Sequence, residues 1–222
     1  MTFRLLLVSL ILCFVACKSN NADTNKEASQ NPKLDTPQVV KEQEQIKNRD
    51  VWQHPEYIIN LLGDLSQKTV VDLGAGSGYF SFRLLKTAKK LVAVDIDQRF
   101  INFMNQKVLE LEPSLKSKFE ARLGLPDDPK LNQHEADIIL IVNTYIYIKN
   151  RKDYFTKLKN AMNPGGKLVI VDFKNVDMSI GPPTTIKLSG NQVVQELIAA
   201  GYKNIKLDNN ALEFQYIVTA EN

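Results

Sequence analysis

The chain has 222 residues, 28 of them Lys or Arg against 25 Asp or Glu, a net charge of +3. That near balance gives no electrostatic case for nucleic acid, and 44% hydrophobic residues are too many for a wholly disordered chain. Cys13 and Cys17 are its only cysteines and His54 and His134 its only histidines. With both cysteines close to the N-terminus, the remainder is expected to hold no disulfide, no thiolate metal site and no cysteine nucleophile; no metal is expected.

Arg4 precedes an apolar run from Leu5 to Ala16, and Cys17 follows it. At about 1.5 Å per residue, the run is too short to cross a hydrocarbon core of about 30 Å. A basic start, a short apolar centre and a small residue before the cleavage point describe a secretory signal. With cysteine next, the stretch resembles a bacterial lipoprotein signal. That resemblance implies a signal peptide at 1–16, lipidation of Cys17, and a membrane-anchored protein facing the periplasm or the exterior. A cytoplasmic protein is the alternative if the signal is not functional. Residues 17–44 are polar, with Pro32 and Pro37, and read as a flexible tether. Residues 45–222 have the length of one domain.

Within that domain Pro55 suits a first helical position, His54 its cap, and Gly63 the stop of a helix over 55–62. Thr69 to Leu73 is short, apolar and β-branched, as a buried parallel strand requires. Gly74-Ala75-Gly76-Ser77-Gly78 turns the chain, and Phe80, Phe82, Leu84 and Leu85 follow with helical spacing. Leu91 to Asp95 is a second strand. Asp97 caps a helix carrying Phe100, Ile101, Met104, Val108 and Leu111. Lys118 to Leu123 is a third strand, followed by a rigid loop, Gly124 to Pro129. Asp137 to Val142 is a fourth strand and Arg151 to Met162 a helix. Gly165 and Gly166 turn the chain into a fifth strand ending near Asp172. Ser189 or Asn191 caps a helix through Val193, Leu197 and Ile198, closed by Gly201. Ile205 to Leu207 and Phe214 to Thr219 read as two last strands.

The glycine turn separates several ligand classes. A dinucleotide fingerprint wants a small residue where Tyr79 stands, and a phosphate-binding Walker loop wants Gly-Lys-Ser or Gly-Lys-Thr. What remains is Asp-x-Gly-x-Gly-x-Gly from Asp72. A carboxylate at that strand end suits an amino group better than a phosphate. This stretch resembles motif I of the class I S-adenosylmethionine-dependent methyltransferases. The resemblance continues through Leu91–Asp97, Ala136–Asn143 and the Asn163-Pro164-Gly165-Gly166 step. It implies an α/β three-layer sandwich around a Rossmann-like, seven-stranded, mostly parallel sheet with a C-terminal antiparallel hairpin. It also implies S-adenosylmethionine as cofactor, held by Asp72, Gly74, Ala75, Gly76, Gly78, Asp95, Ile96, Asp127 and Asn143. Asp95 would take the ribose hydroxyls and Ile96 the adenine face. Asp127 either receives the adenine amino group or only makes its turn. Asn143 either sits under the methionine portion or caps the next segment.

The chemistry required is alignment of an acceptor lone pair behind the methyl and exclusion of water. Asn143-Thr144-Tyr145-Ile146 lacks the prolines of an Asn-Pro-Pro-Tyr run, and Ile146 and Tyr147 stand where similar sequences carry histidines. The polar candidates for catalysis are Tyr145, Tyr147, Asp172 and His54, with Lys174 beside them. The Trp52 segment and the loop from Phe173 to Leu188 would roof the acceptor pocket. The acceptor expected is a small molecule, with no nucleic acid partner. A binding protein that keeps the pocket without transfer and a nucleotide-linked oxidoreductase are the alternatives; Tyr79 argues against the second.

Overall fold

The computed structural model describes residues 49–222, so the expected signal, lipidated Cys17 and tether lie outside the described residues. The strands are β1 (Thr69–Leu73), β2 (Lys90–Asp95), β3 (Phe119–Leu123), β4 (Ala136–Val142), β5 (Met162–Phe173), β6 (Lys203–Asp208) and β7 (Gln215–Glu221). They form one seven-stranded sheet in the order β3-β2-β1-β4-β5-β7-β6. β7 runs antiparallel to both β5 and β6, and the other pairings are parallel. The expected sheet and hairpin are both present.

Side chains alternate between the sheet's faces, and both faces are apolar, because helices cover each. Val71, Leu73, Ile139, Ile141, Leu168 and Ile170 pack under α5 (Arg151–Ala161) and α6 (Gly190–Ala199) through Phe155, Leu158, Val193 and Leu197. Val70, Ile138, Leu140, Val169 and Val171 pack against α1 (Pro55–Leu62) and α2 (Ser81–Leu84) through Ile58, Leu62 and Leu84. Two further helices, α3 (Gln98–Val108) and α4 (Pro113–Lys116), join β2 to β3.

Caps follow local chemistry. Asp97 accepts from the Arg99 N–H at the start of α3, and Ser189 forms a reciprocal capping box with Gln192 at α6. His54 departs from expectation. It precedes α1 at φ 48°, and its side chain caps nothing, since an N-cap bond needs an extended backbone. The Pro-Gly-Gly step also differs: β5 already begins at Met162 and runs through it. A register shift between Ala136 and Ile138 absorbs the extra residues, with Gly165 at φ 72°.

The strand order reverses between β1 and β4, which both lie beside each other while β1 connects onward to β2. In such sheets ligands bind outside the carboxyl ends of the strands at this point. Leu73 pairs with Val94 on one side and Ile141 on the other, bringing Gly74, Asp95 and Asn143 to one edge.

Candidate active site

The three glycines of the turn serve different ends. A Cβ on Gly74 would fall 2.2 Å from Thr144 Oγ1, and one on Gly78 would fall 2.6 Å from the Phe82 ring. Those two are packing requirements. A Cβ on Gly76 would meet nothing within 4 Å, although Gly76 lies at the centre of the site with φ 56°. The space in front of it is therefore open to a ligand that approaches the backbone.

Two adjoining chambers meet there and share Gly74, Gly76 and Thr144. The outer chamber, about 550 Å³, is walled by apolar groups including Val94, Ile96, Phe100 and Leu125, with Asp95 at its base. The inner chamber, about 180 Å³, is walled by Arg49, Asp72, Ala75 and Asn143. One end suits the flat faces of a nucleoside and the other a charged amino-acid group.

Asp95 lines the outer chamber and bonds to Gly76, which both chambers share. Its Oδ2 accepts the Gly76 N–H at 2.8 Å and its Oδ1 accepts the Asp97 N–H at 2.9 Å. Each carboxylate oxygen keeps a second acceptor site, so ribose hydroxyls fit beside these bonds. Ile96, 61% exposed, lies on the outer wall. Asp72 is buried and accepts from Ser81 Oγ at 2.6 Å. Burial pushes its pKa up to about 6, against the opposing pull of the Ser81 bond and the Arg49 charge.

Arg49, in the helical segment 49–53, lines the inner chamber. Tyr79 holds the segment: the Arg49 guanidinium lies 4.0 Å from its ring centre and Arg83 4.1 Å, and its hydroxyl donates to Asp50. Arg83 also pairs with Asp50 at 2.9 Å. The large residue that breaks a dinucleotide fingerprint is thus a platform for two cations. Trp52 packs on Phe173 with ring centres 5.5 Å apart. A buried chain of amides then links Gln53 to Gln215 on β7 and Gln215 to Asn143.

Of the residues singled out from sequence, Asp72, Gly74, Ala75, Gly76, Asp95, Ile96 and Asn143 surround the chambers, and Tyr147 stands on the outer rim. Gly78 supports the turn from behind. Asp127 lines a separate small hollow with Lys149 and Asp153. Tyr145 is fully buried and donates to Glu196 at 2.6 Å, and burial raises its pKa well above the usual phenol range. Asp172 is fully buried, accepting the Phe173 N–H at 2.8 Å. Burial lifts its pKa to about 6, partly offset by the amides of Phe173, Ile146 and Tyr145. His54 is exposed. Lys174 donates to the Leu212 and Glu213 carbonyls at 2.8 Å. None of these last four lines a chamber. Sequence reasoning missed Arg49, Phe100 and Thr144. An Arg between two polar neighbours carries no local signal, whereas Thr144 was adjacent to a chosen residue.

Residues 71–168 match the family model described as a methyltransferase domain. The chain's fold is shared with a SAM-dependent methyltransferase from Aquifex aeolicus, 23% identical with a TM-score of 0.71, covering 84% of this chain and 98% of that one. The tRNA U34 carboxymethyltransferase of Cellvibrio japonicus is 27% identical over 111 residues, 49% of this chain and 34% of the relative. The ribosomal RNA small subunit methyltransferase A of Koribacter versatilis is 38% identical over 102 residues, 41% of this chain and 35% of the relative. The chain therefore spans about a third of the length of these curated relatives.

These names correct one expectation. The exclusion of nucleic acid rested on net charge, and both relatives are named for RNA. Net charge is a poor guide here, because RNA is also recognised by shape and by stacking of single bases, neither of which needs a strongly basic chain.

Proposed function

We propose that this domain binds S-adenosylmethionine across the two chambers and transfers its methyl group to an acceptor. The carrying observation is the pairing of an apolar chamber and a charged one around Gly76, with Asp95 in the wall of the apolar one and bonded to Gly76. The cofactor supplies an already activated methyl group. The chain's own contribution is placement: Asp95 for the ribose, Ile96 for the adenine face, and the 49–53 segment with Trp52 and Phe173 to keep water out.

The sequence reading offers a small molecule as acceptor, and the relatives' names favour a nucleotide of RNA. A methyl-labelled cofactor assay against purified cellular RNA and against a small-molecule extract separates them. Label in either fraction supports transfer and identifies the acceptor class. Tight cofactor binding with no label in any fraction would replace transfer with a binding role.

The proposed location is a membrane surface, with Cys17 as the lipidated first residue. The support is the sequence pattern alone: Arg4, the short apolar run to Ala16, and Cys17. Each buried CH₂ of an acyl chain contributes about 0.8 kcal/mol of anchoring. Intact-mass measurement of the native protein tests this, with Cys17→Ser expected to abolish lipid labelling. An unmodified chain still beginning at Met1 overturns it.

A further inference from the structure

The wall segment that follows β4 is held by a side chain that lines neither chamber. Asn143 and Thr144 line the inner chamber, and Thr144, Tyr147 and Ile148 line the outer one. Tyr145–Tyr147 forms one turn of 3-10 helix, and Thr144 before it offers the turn no side-chain cap. The cap comes from β5 instead. Asp172 accepts the Phe173 N–H at 2.8 Å, and the backbone amides of Tyr145 and Ile146 face the same carboxyl and favour its charge. The first amides of a helical turn have no partners within it, so an anion is favoured there.

That anion sits in a poor place for a charge. Asp172 is fully buried, and its Oδ2 has no hydrogen-bond partner among the described residues. Tyr216 stands opposite it in the β5–β7 pairing, equally buried, and its hydroxyl also lacks a partner among the described residues. Beyond Tyr216 lie Tyr145 on the 3-10 turn, Glu196 on α6 and Arg151 on α5. Tyr145 and Arg151 both donate to Glu196, so that group is satisfied within itself. Burial therefore outweighs the amides, and the pKa of Asp172 rises to about 6. Asparagine would keep the shape, avoid the buried charge and bring an Nδ2 donor to the Tyr216 hydroxyl. For stability alone the amide is the better group. What the carboxylate adds is a charge acting on the amides of the chamber wall.

We propose that Asp172 is a positioning residue for the site: as an anion it latches the 143–148 wall in place, and protonation slackens the latch. The ionised form gives up some stability of the fold and tightens the site. The identity of the ligand that reads this out rests on the cofactor reading above.

The test compares wild type and Asp172→Asn, as full chains, at pH 7.5. The variant is expected to melt above wild type and yet bind S-adenosylmethionine about 5-fold or more weakly, because charge-assisted bonds to the wall become neutral ones. Loss of a merely structural support would lower both. Amide proton shifts give a second reading, needed because Asp72 titrates in the same range. Those of Tyr145, Ile146 and Phe173 are expected to share a midpoint near pH 6 in wild type and in Asp72→Asn, and to be flat in Asp172→Asn. Amides of Tyr145 and Ile146 that ignore pH, or a folded Asp172→Asn that binds as tightly as wild type, overturn the latch. So does a variant that loses stability and affinity together. If wild type binds no S-adenosylmethionine, the cofactor reading falls, and the amide titration alone decides the latch.

Discussion

Asp95 Oδ2 accepts the Gly76 N–H at 2.8 Å, so the last residue of β2 holds the glycine turn that follows β1. The same carboxylate braces Asp97, the cap of α3. One side chain therefore shapes the turn, orients the helix and presents acceptors to the outer chamber. Asp95→Ala removes the acceptors and loosens the turn together. Cofactor affinity is expected to fall by about 10-fold or more, since charge-assisted bonds contribute roughly 1.5–3 kcal/mol each. Calorimetric titration of the folded variant checks this, and unchanged affinity removes Asp95 from the site.

Asp72 makes stability depend on pH in a stated direction. Its pKa is 3.8 in an unperturbed setting and about 6 in the folded protein, with burial the largest cause. Between those values the folded state holds a proton that the unfolded chain has released. This contribution to stability therefore falls as pH rises through the window and is fully lost above about 6. Asp72→Asn should become progressively more stable relative to wild type from pH 4 to 7, by up to about 3 kcal/mol at 1.36 kcal/mol per unit. Comparing the two proteins cancels Asp172, which shifts likewise, and Glu135, held down to about 2 by Arg122. Denaturant melts across pH read the difference, and parallel curves contradict it.

Tyr145 separates structure from catalysis. Its hydroxyl is committed to Glu196 at 2.6 Å, which Arg151 also holds at 2.6 Å and 2.9 Å. Tyr145→Phe should cost about 1 kcal/mol and lower Tm by roughly 2–4 °C. The rate of transfer should not change. A general base removed at this position would instead lower kcat by about 100-fold or more.

The strands were legible because β-branched runs such as Val70-Val71 and Ile138-Ile139 leave little choice of structure, and the glycine turn because open backbone needs glycine at Gly76. The chain of buried amides leading to Asn143 was not legible. Gln53 and Gln215 stand 162 positions apart, and neither has neighbours that mark it as buried. The docking of residues 49–53 on Tyr79 and Phe173 brings them together. Tyr79 itself was readable solely as an obstacle to a dinucleotide, since its use as a cation platform depends on Arg49 and Arg83 arriving from two segments. Tyr145 and Asp172 looked available because polar residues at strand ends usually face solvent. Here α6 covers Tyr145 through Glu196, and Asp172 turns inward toward the amides of Tyr145 and Ile146.

The most direct measurement is isothermal titration of the full chain with S-adenosylmethionine, its demethylated product and NAD. Two chambers meeting at Gly76, with Tyr79 occupying the position a dinucleotide fold keeps small, predict binding of the first two at one site per chain and no heat from NAD. Binding of NAD without binding of S-adenosylmethionine would contradict the account.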